Sequence, residues 1–385
     1  MKQIFKKLDK PLLFLTVLYS ILGLILVLSS SSVISVFELG ESPYYFFFRQ
    51  LLFMATAYFI GIFLVLRIPI RTYNRWMPLL LIALVVSLAA LLMYGSFTNN
   101  AKSWLNIAGF GVQPSEFGKI ILILFLGLFY GNPNKVNKSK YSFFIPLAYS
   151  IFVVLLILLQ PDLGTAIIVS GIVALTFIAI PIGGNKMMNS LKIIAGVVMI
   201  IAIVFLSSGS NFLTKEQQSR LNYKAPCSRY VEKTGYQVCN GFIAINNGGL
   251  FGRGIGNSTQ KYLYLPEAYT DFIFPIAVEE LGVVVCSFII LGYLFIFLRI
   301  LTIAKRATNL RNSIICYGIG IYMLLHLLVN FLGVLALIPL TGVPVPFLSY
   351  GGSFTICMIL AMFIVLRVSI ETKNGEVKME LDRMS

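Results

Sequence analysis

About ten apolar runs of roughly twenty residues, nearly free of ionisable side chains, divide this chain and leave few folds open to it. The core of a large α/β protein can hide one or two such runs, but not a string of them. Only 12% of the residues are charged and 58% are hydrophobic, where a soluble domain carries about 25% charged residues. The pattern argues against a soluble cytoplasmic enzyme and predicts an all-α polytopic membrane protein.

The runs occupy approximately residues 11–31, 50–68, 77–95, 117–130, 143–160, 163–181, 191–207, 272–298, 312–336 and 352–369, giving ten predicted transmembrane helices. The fourth is short, and the Gln160-Pro161-Asp162 break leaves almost no loop between the fifth and sixth. With the N-terminus inside, Lys2, Lys6, Arg67, Arg71, Lys135, Lys186, Arg299 and Arg367 all fall on the cytoplasmic side, as most other basic residues do. The positive-inside bias therefore predicts cytoplasmic N- and C-termini. It also accounts for a formal net charge of +15 without nucleic acid, which would need a contiguous basic surface. The first run lacks a cleavage site and reads as a retained helix. The chain is read as one transmembrane domain over 1–385, with a large extracytoplasmic loop at 208–271 between helices 7 and 8 and a mobile cytoplasmic tail at 371–385.

Chemistry-bearing residues concentrate on the predicted outer face. Gly248, Gly249, Gly252, Gly254 and Gly256 can expose backbone N–H groups to a phosphate or form a flexible loop, but no βαβ context supports a dinucleotide site. Asp271 stands where the loop enters the next span, either as a reactive carboxylate or as a helix N-cap. Glu279 and Glu280 follow at helical offsets of about 80° and 180°, so the three carboxylates cannot share one face; these two lean toward structural pairing. Glu116 and Lys119 are spaced to pair within a helix, or Lys119 can hold an anionic headgroup. Trp104 fits an interfacial aromatic belt. Pro161, Pro344 and Pro346 break helices where a cavity or a re-entrant turn is expected.

Cys227 and Cys239 can form a disulfide in the outer loop or remain free thiols, whereas Cys286, Cys316 and Cys357 read as apolar filler. His326, alone in a span, reads as packing or a local hydrogen bond rather than a zinc ligand.

Taken together, Lys102-Ser-Trp-Leu, Gln113-Pro-Ser-Glu-Phe-Gly-Lys119, Gln160-Pro-Asp-Leu-Gly-Thr-Ala166, Leu265-Pro-Glu-Ala-Tyr-Thr-Asp-Phe-Ile-Phe274, Glu279-Glu-Leu-Gly282, Asn330 and Thr341 through Gly352 resemble the SEDS family (shape, elongation, division and sporulation). Its members, FtsW, RodA and SpoVE, are bacterial cell-wall polymerases. The resemblance spreads over nearly the whole chain and lies nearer the division members of Gram-positive bacteria than the elongation members.

The resemblance implies a ten-span peptidoglycan glycosyltransferase that joins lipid II to a glycan held on undecaprenyl diphosphate. It further implies a class B penicillin-binding protein as transpeptidase partner, other divisome components, and a place in the cell membrane at the division septum. Asp271 is the implied general base, Lys119 and Arg253 the implied diphosphate contacts, Glu116 the residue orienting Lys119, and Glu267 a support for the loop or substrate. Gln113, Pro114, Ser115, Asp162, Asn330 and Ser349 are implied supporting residues. No nucleotide or redox cofactor is required. A divalent cation is compatible with a diphosphate, but no metal site follows from the spacing of the carboxylates. An elongation polymerase, a lipid flippase and a non-enzymatic scaffold for a transpeptidase are the alternative readings. Lys186 and the tail are candidate docking points for a regulator.

Overall fold

The computed structural model describes residues 6–98, 101–107, 109–139, 141–181 and 223–384. The predicted seventh span at 191–207, the beginning of the predicted outer loop and Lys186 lie outside the described residues. Within them the chain forms α1 (Lys10–Phe37), α2 (Tyr45–Ile60, continued by a π turn at Gly61–Val65) and α3 (Tyr73–Tyr94). These are followed by α4 (Pro114–Tyr130), α5 (Ile145–Leu158), α6 (Leu163–Ile178), α7 (Lys233–Gly248), α8 (Ile273–Arg306), α9 (Leu310–Val334) and α10 (Gly352–Met384). Six helical segments among the described residues are long and apolar enough to cross a membrane, namely α1, α2 with its π turn, Ile70–Tyr94, α8, α9 and the first part of α10. The protein is an all-α polytopic membrane protein.

Local chemistry sets the helix ends. Asp9 caps α1 by accepting from Leu12 N at 3.1 Å, and its carboxylate also binds Arg299 of α8 at 2.8 Å. Asp162 caps α6 through Thr165 N at 3.0 Å, which explains how a Gln-Pro-Asp break can separate two helices with almost no loop. Pro114 opens α4, so that helix starts three residues earlier than its apolar run predicts and takes in Glu116 on its first turn.

The helices differ in what they cover. The most apolar stretch of α10 is 83% buried and that of α9 61%, against 22% for the segment containing α3. The inner position therefore belongs to the last two helices and to α4, which buries nearly its whole length. Helices α1, α2, α3 and α8 turn large side chains such as Phe14, Phe59, Ile82 and Phe288 outward, as lipid contact allows.

Three departures from the sequence expectations have local causes. The stretch before α4, given no secondary structure from the sequence, is a small antiparallel sheet in the order β1 (Ser96–Thr98), β2 (Ala101–Ile107) and β3 (Phe110–Val112). The predicted mobile tail continues α10 to Met384, through Glu, Lys, Met and Leu residues that favour helix. Its start is anchored by Glu371, which accepts from Ile70 N at 2.8 Å and Asn312 Nδ2 at 2.9 Å.

The third departure is the glycine segment, which is packed rather than flexible. Helix α8 breaks at Gly282, whose φ of 82° is open to glycine at little cost. The break frees carbonyls and amides inside an apolar span, and residues 249–254 pair with them. Arg253 N and Gly254 N donate to Glu279 O and Glu280 O, each at 2.9 Å, while Val283 N and Val284 N donate to Gly249 O and Leu250 O at 3.0 and 3.1 Å. These N–H groups are consequently spent on protein and do not form a phosphate cradle. A Cβ on Gly282 would stand 2.4 Å from Leu250 O and 2.5 Å from Gly252 N. Replacing Gly282 by Ala is expected to destabilise the protein by at least about 1–3 kcal/mol. A thermal melt in detergent at the wild-type midpoint would contradict this packing.

Candidate functional site

The site is built where the segment before α8 meets the segment before α10. Glu267, at φ 55°, turns the chain, and its carbonyl accepts from Thr270 N at 3.2 Å and Phe272 N at 3.1 Å. Its carboxylate accepts from Thr270 Oγ1 at 2.6 Å, and the same hydroxyl reaches Asp271 Oδ1 at 3.2 Å. Asp271 thus stands on a closed turn, only 6% exposed, one residue ahead of the Phe272 N-cap position of α8.

Residues 341–351 hold this turn from the opposite side. Asn330 of α9 donates to both Asp271 O and Val343 O at 2.7 Å. Ser349 Oγ donates to Thr270 O at 2.6 Å and accepts from Val345 N at 2.8 Å, while Tyr350 N donates to Tyr269 O at 2.9 Å. Gln50, fully buried on α2, fixes the end of the same segment through Ser349 O, Thr355 Oγ1 and Gly351 N. Pro344 and Pro346 shape this loop, with Tyr293 of α8 donating to Pro346 O.

An aromatic wall adjoins the turn. Tyr269, Phe46 and Tyr350 lie with ring centroids 4.5 to 5.7 Å apart. Burial, reinforced by the neighbouring carboxylates, pushes the Tyr269 phenol well up, so it stays protonated.

Lys119 and Glu116 form a second cluster on α4. Lys119 Nζ is 2.6 Å from Glu116 Oε1 and 3.0 Å from His326 Nε2, and Lys119 is only 1% exposed. In this arrangement its charge points into the bundle. Gln113 Nε2 donates to Asp162 Oδ2 at 3.1 Å, tying the start of α4 to the start of α6, while Pro114 and Ser115 are buried in the first turn of α4.

Arg253 belongs to a third cluster, at the break in α8. Its guanidinium lies 3.8 Å from Glu279 Oε1 and donates to Thr259 Oγ1 at 3.2 Å. Glu279 also accepts from Asn247, Ser258, Thr259 and Gln260. Glu280 takes Ser29 Oγ at 2.5 Å and the buried Lys261 Nζ at 3.3 Å. Trp104, part-buried on β2, faces Gly111 of β3.

Cys227 and Cys239 are joined by a disulfide, which fastens the Pro226–Arg229 turn to α7; that helix packs on Leu265, Ala268 and Phe272 beside Asp271. Among the described residues no group of three or more His, Cys, Asp and Glu is placed to hold a metal ion.

Sequence reasoning brought forward Asp271, Glu267, Asn330 and Ser349, which the structure joins in one cluster, and Lys119, Glu116 and Arg253, which it places elsewhere. It missed Gln50, Thr270 and the aromatic wall. Gln50 carried a signal, since an uncharged polar side chain beside Arg49 at the mouth of an apolar run needs a partner.

A buried cluster of carboxylate, amide, hydroxyl and aromatic groups set in a multispan helical bundle is the kind of site this membrane protein carries. The chain belongs to the FtsW/RodA/SpoVE family, whose model, described as a cell cycle protein, matches residues 10–374. It is 33% identical over 383 residues to the probable peptidoglycan glycosyltransferase FtsW of Bacillus subtilis (strain 168), covering 98% of this chain and 94% of that protein. It is 34% identical over 366 residues to the stage V sporulation protein E of the same organism, covering 94% and 96%. A chain in a structure concerning the structural coordination of polymerization and crosslinking by a peptidoglycan synthase complex shares the fold, with a TM-score of 0.73, 22% identity and coverage of 95% and 98%.

Asn330→Leu is expected to lower stability by about 1–3 kcal/mol, because Asp271 O and Val343 O both lose their donor. Amide hydrogen exchange across residues 267–272 should rise in step; protection equal to wild type would show that Asn330 does not hold the turn.

Proposed function

We propose that this chain is a peptidoglycan glycosyltransferase that polymerises lipid II in septal wall synthesis during division, with Asp271 as its general base. The acceptor is the GlcNAc 4-hydroxyl of lipid II, and the donor is the growing glycan on undecaprenyl diphosphate. The acceptor oxygen forms a bond to the donor's anomeric carbon as the bond from that carbon to the diphosphate oxygen breaks. The hydroxyl proton passes to the Asp271 carboxylate, and undecaprenyl diphosphate leaves with the bonding electron pair. A single displacement converts the α-linked donor into a β-1,4 linkage.

The observation that carries this reading is Asp271 itself, a buried carboxylate fixed at both its backbone and its neighbours. A base held in place loses little entropy on reaching its reactive geometry. Energy comes from the leaving group, so the step calls on no nucleotide or redox cofactor. The Lys119–Glu116 pair and Arg253 are the nearest candidates for meeting the diphosphate, Lys119 after a rearrangement that exposes its Nζ.

The finer topology belongs to the same proposal. Ten spans, with both termini cytoplasmic, put the Asp271 turn at the outer face of a bacterial membrane, where lipid II is polymerised. The chain's likeness to a component of a synthase complex supports a class B penicillin-binding protein as its transpeptidase partner.

Asp271→Asn keeps the shape of the side chain and removes its basicity. Purified protein reconstituted with labelled lipid II and its partner should give glycan ladders, and the Asn variant, inserted and folded normally, should give none. Full activity in the variant would sink the role of Asp271. Lipid scrambling without polymer from the wild type would replace the polymerase by a flippase.

A further inference from the structure

We propose that His326 is a positioning residue of the polymerising site, a rigid spacer that holds the loop facing Asp271 at a set distance from the buried Lys119–Glu116 pair.

Helix α9 carries His326 and Asn330 four residues apart, on one face and about one turn from each other. Asn330 grips Val343 O and Asp271 O at 2.7 Å. His326 Nδ1 lies 3.4 Å from the next carbonyl, Pro344 O. Ser349 Oγ takes the following amide, Val345 N, at 2.8 Å and binds Thr270 O at 2.6 Å. Three successive loop residues are therefore each held by a side chain. Two of those side chains also hold the Asp271 turn, and His326 connects the loop to Lys119 at 3.0 Å.

The chemistry of these partners assigns the proton on the ring. Lys119 Nζ lies 2.6 Å from Glu116 Oε1 as an ion pair, and an ammonium has donors only. Nε2 must then offer its lone pair to Lys119, which puts the ring proton on Nδ1, where it donates to Pro344 O. The ring cannot swing freely between these partners. It is 1% exposed, stacked on Phe354 at 4.7 Å between centroids and set edge-on to Tyr322 at 5.0 Å. The ring therefore stands as a fixed link between Lys119 Nζ and Pro344 O.

The chain has one histidine, so its imidazole can be observed alone. Full-length protein labelled with [15N]histidine, purified on a tag without histidine and placed in liposomes, should show a protonated Nδ1 and an unprotonated Nε2. The Nε2 resonance should move in Lys119→Met. A protonated Nε2, or no response to Lys119→Met, would overturn the proposal. The kinetic part rests on the polymerase reading. With lipid II and the partner transpeptidase, His326→Leu should slow polymerisation roughly 10- to 100-fold with little change in KM. His326→Asn, whose amide can donate from near the Nδ1 position, should recover most of that loss. Wild-type rates in His326→Leu, or equal losses in both variants at unchanged melting temperature, would reduce His326 to packing. Absence of polymer from the wild type itself would count against the glycosyltransferase reading, and the spectrum would still decide the hydrogen-bond assignment.

Discussion

Every peptide group inside a membrane bundle needs a partner from protein, and the break in α8 is where this chain meets that demand most directly. Gly282 interrupts the helix at its tenth residue, and four hydrogen bonds with residues 249–254 make good the loss. Each unpaired group left there would cost about 1–3 kcal/mol, more than a typical surface contact returns. That pairing draws the outer segment down onto α8. It also brings Ser258, Thr259 and Gln260 to Glu279 and places Lys261 beside Glu280, so two carboxylates in an apolar span are paired with donors that come from a connecting loop. The path from Gly249 to Asp271 is fixed at its beginning by the break and at its end by α8 itself.

The same rule shapes the opposite wall of the site. Residues 341–351 cross the inner part of the protein without regular structure, and Asn330, His326, Ser349, Gln50 and Tyr293 take up their peptide groups one after another. Such a loop has little freedom even though it contains neither helix nor strand. Asn330 and Ser349 bind both this loop and the Asp271 turn, so the two irregular segments are tied together by shared side chains. Preorganisation of this kind allows an irregular backbone to carry chemistry.

Much of this was legible in the sequence wherever the signal was local. The apolar runs marked α1 to α6 and α8 to α10, with several ends displaced by five residues or more, while α7 lies inside the stretch read as a loop. The strands were not legible, since Ser96–Thr98 and Phe110–Val112 have three residues each and show no alternation long enough to read. Arg253 gave no sign of its neighbours, because its contact with Glu279, 26 positions away, exists only once α8 breaks and the loop folds back. His326 lies 207 positions from Lys119, and neither residue alone announces the other. Local pattern located the elements, whereas the contacts between clusters depended on long-range packing that periodicity does not encode.

The environments of the carboxylates separate their roles. Glu279 accepts from side chains and backbone of Asn247, Ser258, Thr259 and Gln260 on both of its oxygens, and Glu280 accepts from Ser29, Ser258 and Lys261 on Oε1. Glu116 is matched by the ammonium of Lys119. Asp271 has a different neighbour: a Cβ placed on Gly342 would meet nothing nearer than Asp271 Oδ2, at 3.8 Å. For the proposed role of Asp271 a proton donor must come within hydrogen-bond distance of this carboxylate, whereas Glu279 and Glu116 meet donors of the protein itself.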